Sequence, residues 1–189
     1  MPDLFDRLNA LTRLPPAAEA DLRAALRPVT IPRGTVWLEI GRVARELVYL
    51  DEGFLVGEYY PDDTVTTSWF WWEGDFMTSL DSFLHQRPTI ERVRASEDCR
   101  GQAIQYAALQ RLYAEHPVLN EIGRRLMEDY FLRAGELATG LRRLSARERY
   151  ERLLAAHPAI FERTTHASIA SYLGLAKETL SRLRHGRGR

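Results

Sequence analysis

The segment from His166 to Arg184 reads His-Ala-Ser-Ile-Ala-Ser-Tyr-Leu-Gly-Leu-Ala-Lys-Glu-Thr-Leu-Ser-Arg-Leu-Arg. It places side chains able to read base edges on a frame of apolar residues. Ile169, Ala170 and Leu173 share one face of a first helix, and Ala170 is small where a second helix must approach. Gly174 suits a left-handed residue that ends the first helix. Leu175 fills the corner, and Leu180 and Leu183 form the inner face of the second helix. Lys177, Glu178, Thr179, Ser181, Arg182 and Arg184 are then left at or near its outer face. An arginine can pair bidentately with guanine O6 and N7, and a glutamate can accept from a cytosine amino group. Arg182 and Glu178 therefore carry the base-reading chemistry, with Lys177 and Thr179 at the helix start. Arg184, Arg187 and Arg189 suit backbone phosphates. Ala176 stands where an N-cap favours Ser or Thr.

Other chemistry finds little support. His85, His116, His157, His166 and His185 are scattered without metal-ligand spacing, and the single Cys99 supplies neither a disulfide nor a thiolate cluster. Glu73, Asp75 and Asp81 fit turn and cap roles better than an acid/base pair. The run Trp69-Phe70-Trp71-Trp72 reads as alternating core and surface along a strand, the other reading being a stacking wall for a planar ligand. No enzyme activity, metal or cofactor is expected.

The elements that must position the outer face follow from periodicity. Apolar spacing around Pro15-Pro16 predicts two short helices over Leu4–Leu26. From Val29 to about Ile104 short runs rich in β-branched and aromatic residues, such as Leu47-Val-Tyr-Leu50 and Thr64–Trp72, alternate with turn signals including Pro61-Asp-Asp63. This pattern indicates an antiparallel sandwich or barrel. A short helix is expected over Met77–Leu84. Beyond Ala107 the stripe Leu119, Ile122, Leu126, Tyr130, Ala134, Leu137, Leu141 and Leu144 repeats at helical spacing over about 117–144. A seam that long predicts pairing with a second copy, though part of it must pack on the chain's own barrel. Gly123, Gly135 and Gly140 imply bending or close approach along it. Ser145-Ala-Arg-Glu148 is a capping-box pattern for a helix that stops near His157-Pro158. The division falls at about Leu144, giving parts 1–144 and 145–189.

Charge separates the same two parts. Lys and Arg total 26, equal to Asp and Glu, so the formal net charge is zero. From Leu141 to Arg189, however, eleven basic residues stand against four acidic ones, while the preceding 140 residues carry fifteen against twenty-two. A basic end on an acidic body is the asymmetry expected when one end meets a polyanion. The N-terminus lacks the pattern of a secretory leader, and no apolar stretch approaches a membrane span, so a cytoplasmic location is expected.

Several pieces together resemble the Crp/Fnr superfamily of bacterial transcriptional regulators, over nearly the whole chain. They are Gly74-Asp75-Phe76 before the short helix, His116-Pro117 entering the long one, Arg149-Tyr-Glu-Arg-Leu-Leu154, Ile169-Ala-Ser-Tyr-Leu-Gly174 and Glu178-Thr-Leu-Ser-Arg182. The resemblance implies an α+β protein. Its parts would be N-terminal helices, an antiparallel β-roll of the double-stranded β-helix type, a long dimerisation helix carrying Leu119, Ile122, Leu126, Tyr130 and Leu137, and a C-terminal helix-turn-helix. It further implies a homodimer on double-stranded DNA, with RNA polymerase as a further candidate partner. Base reading falls on Lys177, Glu178 and Arg182. An effector pocket falls at Phe76, Ser79, Leu80, Thr89 and Ile90.

The departures are specific. Cyclic-nucleotide-binding members of the family hold the ribose with a Glu and the cyclic phosphate with an Arg, and those places, counted without gaps from Gly74, are Ser79 and Thr89 here. Arg87 and Arg92 lie nearby but out of register. A buried phosphate without a cation is costly, so cyclic AMP is not expected to bind well and the effector is unidentified. One cysteine excludes an iron–sulfur sensor within the chain. The sequence ends soon after Arg184, where many members continue into a β-hairpin wing. The alternative reading is a ligand-binding β-roll that regulates another protein without specific DNA binding.

Overall fold

A computed structural model of the chain describes residues 3–61 and 64–185, so Arg187, Arg189 and the Asp62-Asp63 turn lie outside the described residues. Leu4, Phe5 and Leu8 bury one face of α1 (Leu4–Leu11), and Pro16 opens α2 (Pro16–Ala25) at a position where a missing N–H costs nothing. Eight strands follow: β1 (Arg27–Ile31), β2 (Val36–Leu38), β3 (Glu46–Glu52), β4 (Leu55–Tyr59), β5 (Thr66–Trp71), β6 (Phe76–Met77), β7 (Arg92–Ala95) and β8 (Cys99–Gln105). Helix α3 (Leu80–His85) interrupts them after β6.

The strands form two antiparallel four-stranded sheets, in the orders β1-β8-β3-β6 and β2-β7-β4-β5. Their inner faces bury Val48, Leu50, Leu55, Trp69, Trp71, Met77, Val93 and Ala103 in one core. The short helix begins later than the sequence suggests. Met77 and Phe76 pair with Val48 and Tyr49 of β3, so those two residues extend a sheet before the chain can turn into α3.

After β8 come α4 (Tyr106–Glu115) and α5 (Pro117–Arg143), separated by His116 in an extended conformation. The residue before a proline is driven out of the helical region, so the two helices break there. Much of the apolar stripe of α5 packs within the chain, while Leu141 near its end stays 41% exposed. Leu119 and Ile122 are 4% and 3% exposed and, with Leu126, pack against α1 and α4. Tyr130, Ala134 and Leu137 pack against the β-roll core. Off this stripe, Phe131 is 75% exposed and Leu132 64%.

Four helices complete the described chain: α6 (Ala146–Ala156), α7 (Ile160–Arg163), α8 (His166–Tyr172) and α9 (Lys177–His185). Ser145 and Glu148 make both bonds of a capping box at the start of α6. These helices share a core with the outer face of β4 and β5. Phe54, Val56 and Phe70 are buried together with Tyr150, Ile160, Ile169, Ala170, Leu173 and Leu180. This explains the run at Trp69–Trp72: Trp69 and Trp71 face the interior of the roll, while Phe70 and Trp72 face the C-terminal helices. A strand covered on both faces loses the apolar–polar alternation of a half-exposed one.

Candidate nucleic-acid interface

The geometry of α8 and α9 follows from a small set of residues. Thr165 caps α8 by accepting from the Ser168 N–H at 3.1 Å. The helix ends in paired bonds from the Gly174 N–H to the Ser171 carbonyl (2.9 Å) and from the Leu175 N–H to the Ala170 carbonyl (2.8 Å). That arrangement needs a left-handed residue, and Gly174 has φ +62°. A Cβ there would lie 3.0 Å from Leu141 of α5, so the turn also abuts the end of the long helix. Ile169, Ala170, Leu173 and Leu180 are at most 3% exposed. Burying this face fixes the rotation of α9 about its axis and hence the side chains it shows to solvent.

Lys177, Glu178, Ser181 and Arg182 are exposed together on the outer side of α9. Arg182 donates to the Thr179 hydroxyl at 3.3 Å, so Thr179, itself half-buried, steadies the arginine. A nine-residue helix is about 14 Å long, sufficient to cross a major groove. Arg184 is exposed near the end of the same helix. It lies 2.5 Å from His166 Nε2 and its guanidinium sits 5.1 Å over the Phe161 ring, bracing α9 against α8.

The two places corresponding to nucleotide anchors have closed on each other. Ser79 and Thr89 are 4% and 3% exposed, and their hydroxyls are 2.9 Å apart. Thr89 also accepts from the Glu91 N–H at 2.9 Å, and Ser68 donates to the Glu91 carboxylate. Glu91, 7% exposed, was not singled out by sequence. Burial pushes its carboxyl above the usual range, against the hydrogen bonds of Ser68 and Ser79. Arg87 and Arg92 turn outward: Arg87 pairs with Asp81 at 2.6 Å, and Arg92 pairs with Glu39 at 2.8 Å and lies over the Tyr60 ring. Of the remaining pocket positions, Phe76 and Leu80 line a separate cavity. Ile90 is 76% exposed and faces solvent, which removes it from any interior pocket.

Three further groupings join residues far apart in the chain. Arg163 of α7 binds both Glu73 (2.6 Å) and Glu97 (2.8 Å) of the β-roll and lies 5.1 Å over the Phe54 ring. His157 packs against Trp72 with ring centroids 3.8 Å apart and the rings tilted by 42°, and burial, then the charges of Arg133 and Arg163, lower its pKa. His116 pairs with Asp21 at 2.8 Å, with Glu115 nearby, tying α2 to the α4–α5 corner. Such pairings across sequence give no local signal.

No family model matches the sequence, and no curated protein is significantly similar to it. Solved structures are similar in fold. The c-di-GMP-responsive global regulator CLP of Xanthomonas campestris superposes with a TM-score of 0.70 at 19% identity, over 91% of each chain. FixK2 of Bradyrhizobium japonicum gives 0.73 at 16% identity over 86% of each chain. A Crp/Fnr-family regulator of Eubacterium rectale gives 0.72 at 17% identity, over 93% of this chain and 84% of its own. The chain therefore has the fold of Crp/Fnr regulators, an α+β architecture of β-roll and C-terminal helices. Among the described residues no helix is long and apolar enough to cross a membrane.

Proposed function

We propose that this chain is a sequence-specific DNA-binding transcriptional regulator, not an enzyme, acting in the cytoplasm as a homodimer. The observation that carries the reading is the outer face of α9. Lys177, Glu178, Ser181 and Arg182 stand exposed there on a helix whose opposite side is locked by Leu180, 2% exposed. In this fold such a helix enters the major groove and reads base edges with its N-terminal half. Residues 145–189 then serve as the DNA-binding part and 1–144 as the sensing part. RNA polymerase is a further candidate partner.

Dimerisation falls to the free face of α5. Phe131 and Leu132 are exposed there, and Gly135, one turn on, has nothing within 4 Å of where a Cβ would lie. A copy's helix could approach the backbone at that point. Two α9 helices related by two-fold symmetry would meet half-sites about one helical turn apart. Cyclic AMP is a poor effector in this reading. Among the described residues no cation enters the Ser79–Thr89 cluster, and the buried Glu91 would repel a phosphate.

The test is selection of binding sites from random duplex DNA, followed by titration of the selected site. Arg182→Ala should weaken specific binding by about 5- to 150-fold and relax preference at one base position. Affinity should fall steeply with salt. A wild-type chain that enriches no sequence overturns the reading.

A further inference from the structure

A cavity of about 290 Å³ lies between α3, α4 and α5 and the β-roll, which contributes Leu47, Trp71 and Phe76 to its lining. Neither Ser79, Thr89 nor Glu91 lines it. Its apolar wall comprises Trp71, Leu80, Phe83, Leu84, Leu126 and Met127. Leu84 and Met127, 48% and 37% exposed, stand at its mouth. Three guanidiniums reach it, Arg7, Arg124 and Arg133, against one lining carboxylate, Asp129. Two of the three are already engaged. Arg133 donates to the buried Asp75 at 2.9 Å, and Arg124 pairs with Glu128 one turn along α5. Arg7 of α1 makes no ion pair among the described residues, and its Nε is buried without an acceptor.

We propose that this cavity binds a small amphipathic acid, an apolar body carrying one carboxylate that Arg7 receives. A guanidinium meets a carboxylate through paired, charge-assisted hydrogen bonds, and a buried donor without an acceptor is otherwise a standing cost. The volume lies at the small end of ligand sites, which are largely apolar with a few placed polar groups. The ligand would touch α1, α3 and α5 at once. Because α5 leads to the Gly174 turn through Leu141, the site deepens the sensing role proposed above and rests on that reading only for its regulatory consequence.

Binding is measured on the full chain without DNA, so its failure is distinct from failure of the DNA reading. The probes are 4-phenylbutyrate, the uncharged 4-phenylbutan-1-ol, and acetate, titrated by calorimetry. The acid should bind with a Kd of about 0.1–1 mM, the alcohol about tenfold or more weakly, and acetate without detectable heat. Arg7→Met should reduce the acid to the affinity of the alcohol and leave the alcohol unchanged. Leu84→Trp, at a half-exposed position that folding tolerates, should fill the mouth and remove both. Equal binding of acid and alcohol, a preference that survives Arg7→Met, binding that survives Leu84→Trp, or no binding of the acid at 10-fold above the expected range (about 10 mM) each overturns the proposal.

Discussion

Arg163 ties α7 to the β-roll through two carboxylates. Its Nη1 and Nη2 donate to the two oxygens of Glu73 at 2.8 and 2.6 Å, and Nη2 and Nε donate to Glu97 at 2.8 and 3.1 Å. Glu73 in turn accepts from the Gly53 N–H at 3.0 Å. Burial alone would raise the Glu73 carboxyl; the bonds from Arg163, the backbone N–H groups of Glu73 and Gly53 and the Arg163 charge together outweigh it and hold the group below its usual value. The three side chains are 22%, 20% and 32% exposed, between the surface and buried regimes. Exposed pairs contribute about 0.2–1 kcal/mol, and breaking a fully buried pair costs about 3–5 kcal/mol. Arg163→Gln should therefore cost about 2–3 kcal/mol, since it leaves two carboxylates facing each other without a cation. For a chain of this length that corresponds to a fall of about 4–12 °C in the unfolding midpoint. Urea unfolding followed by tryptophan fluorescence measures the loss directly, because Trp72 lies at the same junction. The decisive quantity is the coupling with Glu73→Gln in a double-mutant cycle, expected to exceed about 1 kcal/mol for groups sharing one network. A coupling below about 0.5 kcal/mol would refute the claim that this triad holds the two parts together.

Glu91→Gln should stabilise the protein, and more at pH 8 than at pH 5. The folded carboxyl titrates above its ordinary 4.5, so the native state loses stability as pH rises from 4.5 through the folded value, and an amide removes that slope; thermal midpoints across pH check it. His157 titrates below its ordinary 6.5 when folded, so the seated form is fully stable above that value and weakens as pH falls below it. His157→Gln should abolish this part of the acid dependence of Trp72 fluorescence, and an unchanged profile would sink the assignment. Phe131→Glu, at a residue 75% exposed, should convert a dimer to a monomer in sedimentation runs while leaving the monomer's own fold intact. A dimer that persists would move the interface elsewhere.

The helix-turn-helix was legible because its determinants are local. Gly174, with Ile169, Ala170, Leu173 and Leu180 at fixed offsets, specifies a turn and two buried faces within a short stretch, and the structure buries those residues. The capping box at Ser145 is local in the same sense. Strand β8 was less visible. Cys-Arg-Gly-Gln-Ala-Ile-Gln has weak β-propensity, and its place between β1 and β3 rests on pairing with strands more than forty residues earlier. The α5 stripe shows the limit of periodicity. A 3.6-residue repeat reports that one face is covered, but whether by a second copy or by the chain's own α1, α4 and β-roll depends on contacts it does not encode.

The same distinction separates the two candidate sites. The absence of anchors at Ser79 and Thr89 can be read by counting from Gly74, because each position is defined by its residue type. What fills the space cannot be read that way, since Ser68, Ser79, Thr89 and Glu91 come together only when β5, α3 and β7 are folded. A Ser–Thr hydrogen bond closed over a buried carboxylate is a different solvent for a ligand from an arginine cradle: it favours neutral or cationic groups and disfavours phosphate. The cavity beside Arg7 has the opposite preference and a direct path along α5. An anion to which the protein responds would sit between α1, α3 and α5, beside Arg7, rather than at Ser79 and Thr89. Ligand competition between 4-phenylbutyrate and cyclic AMP would then show no mutual displacement.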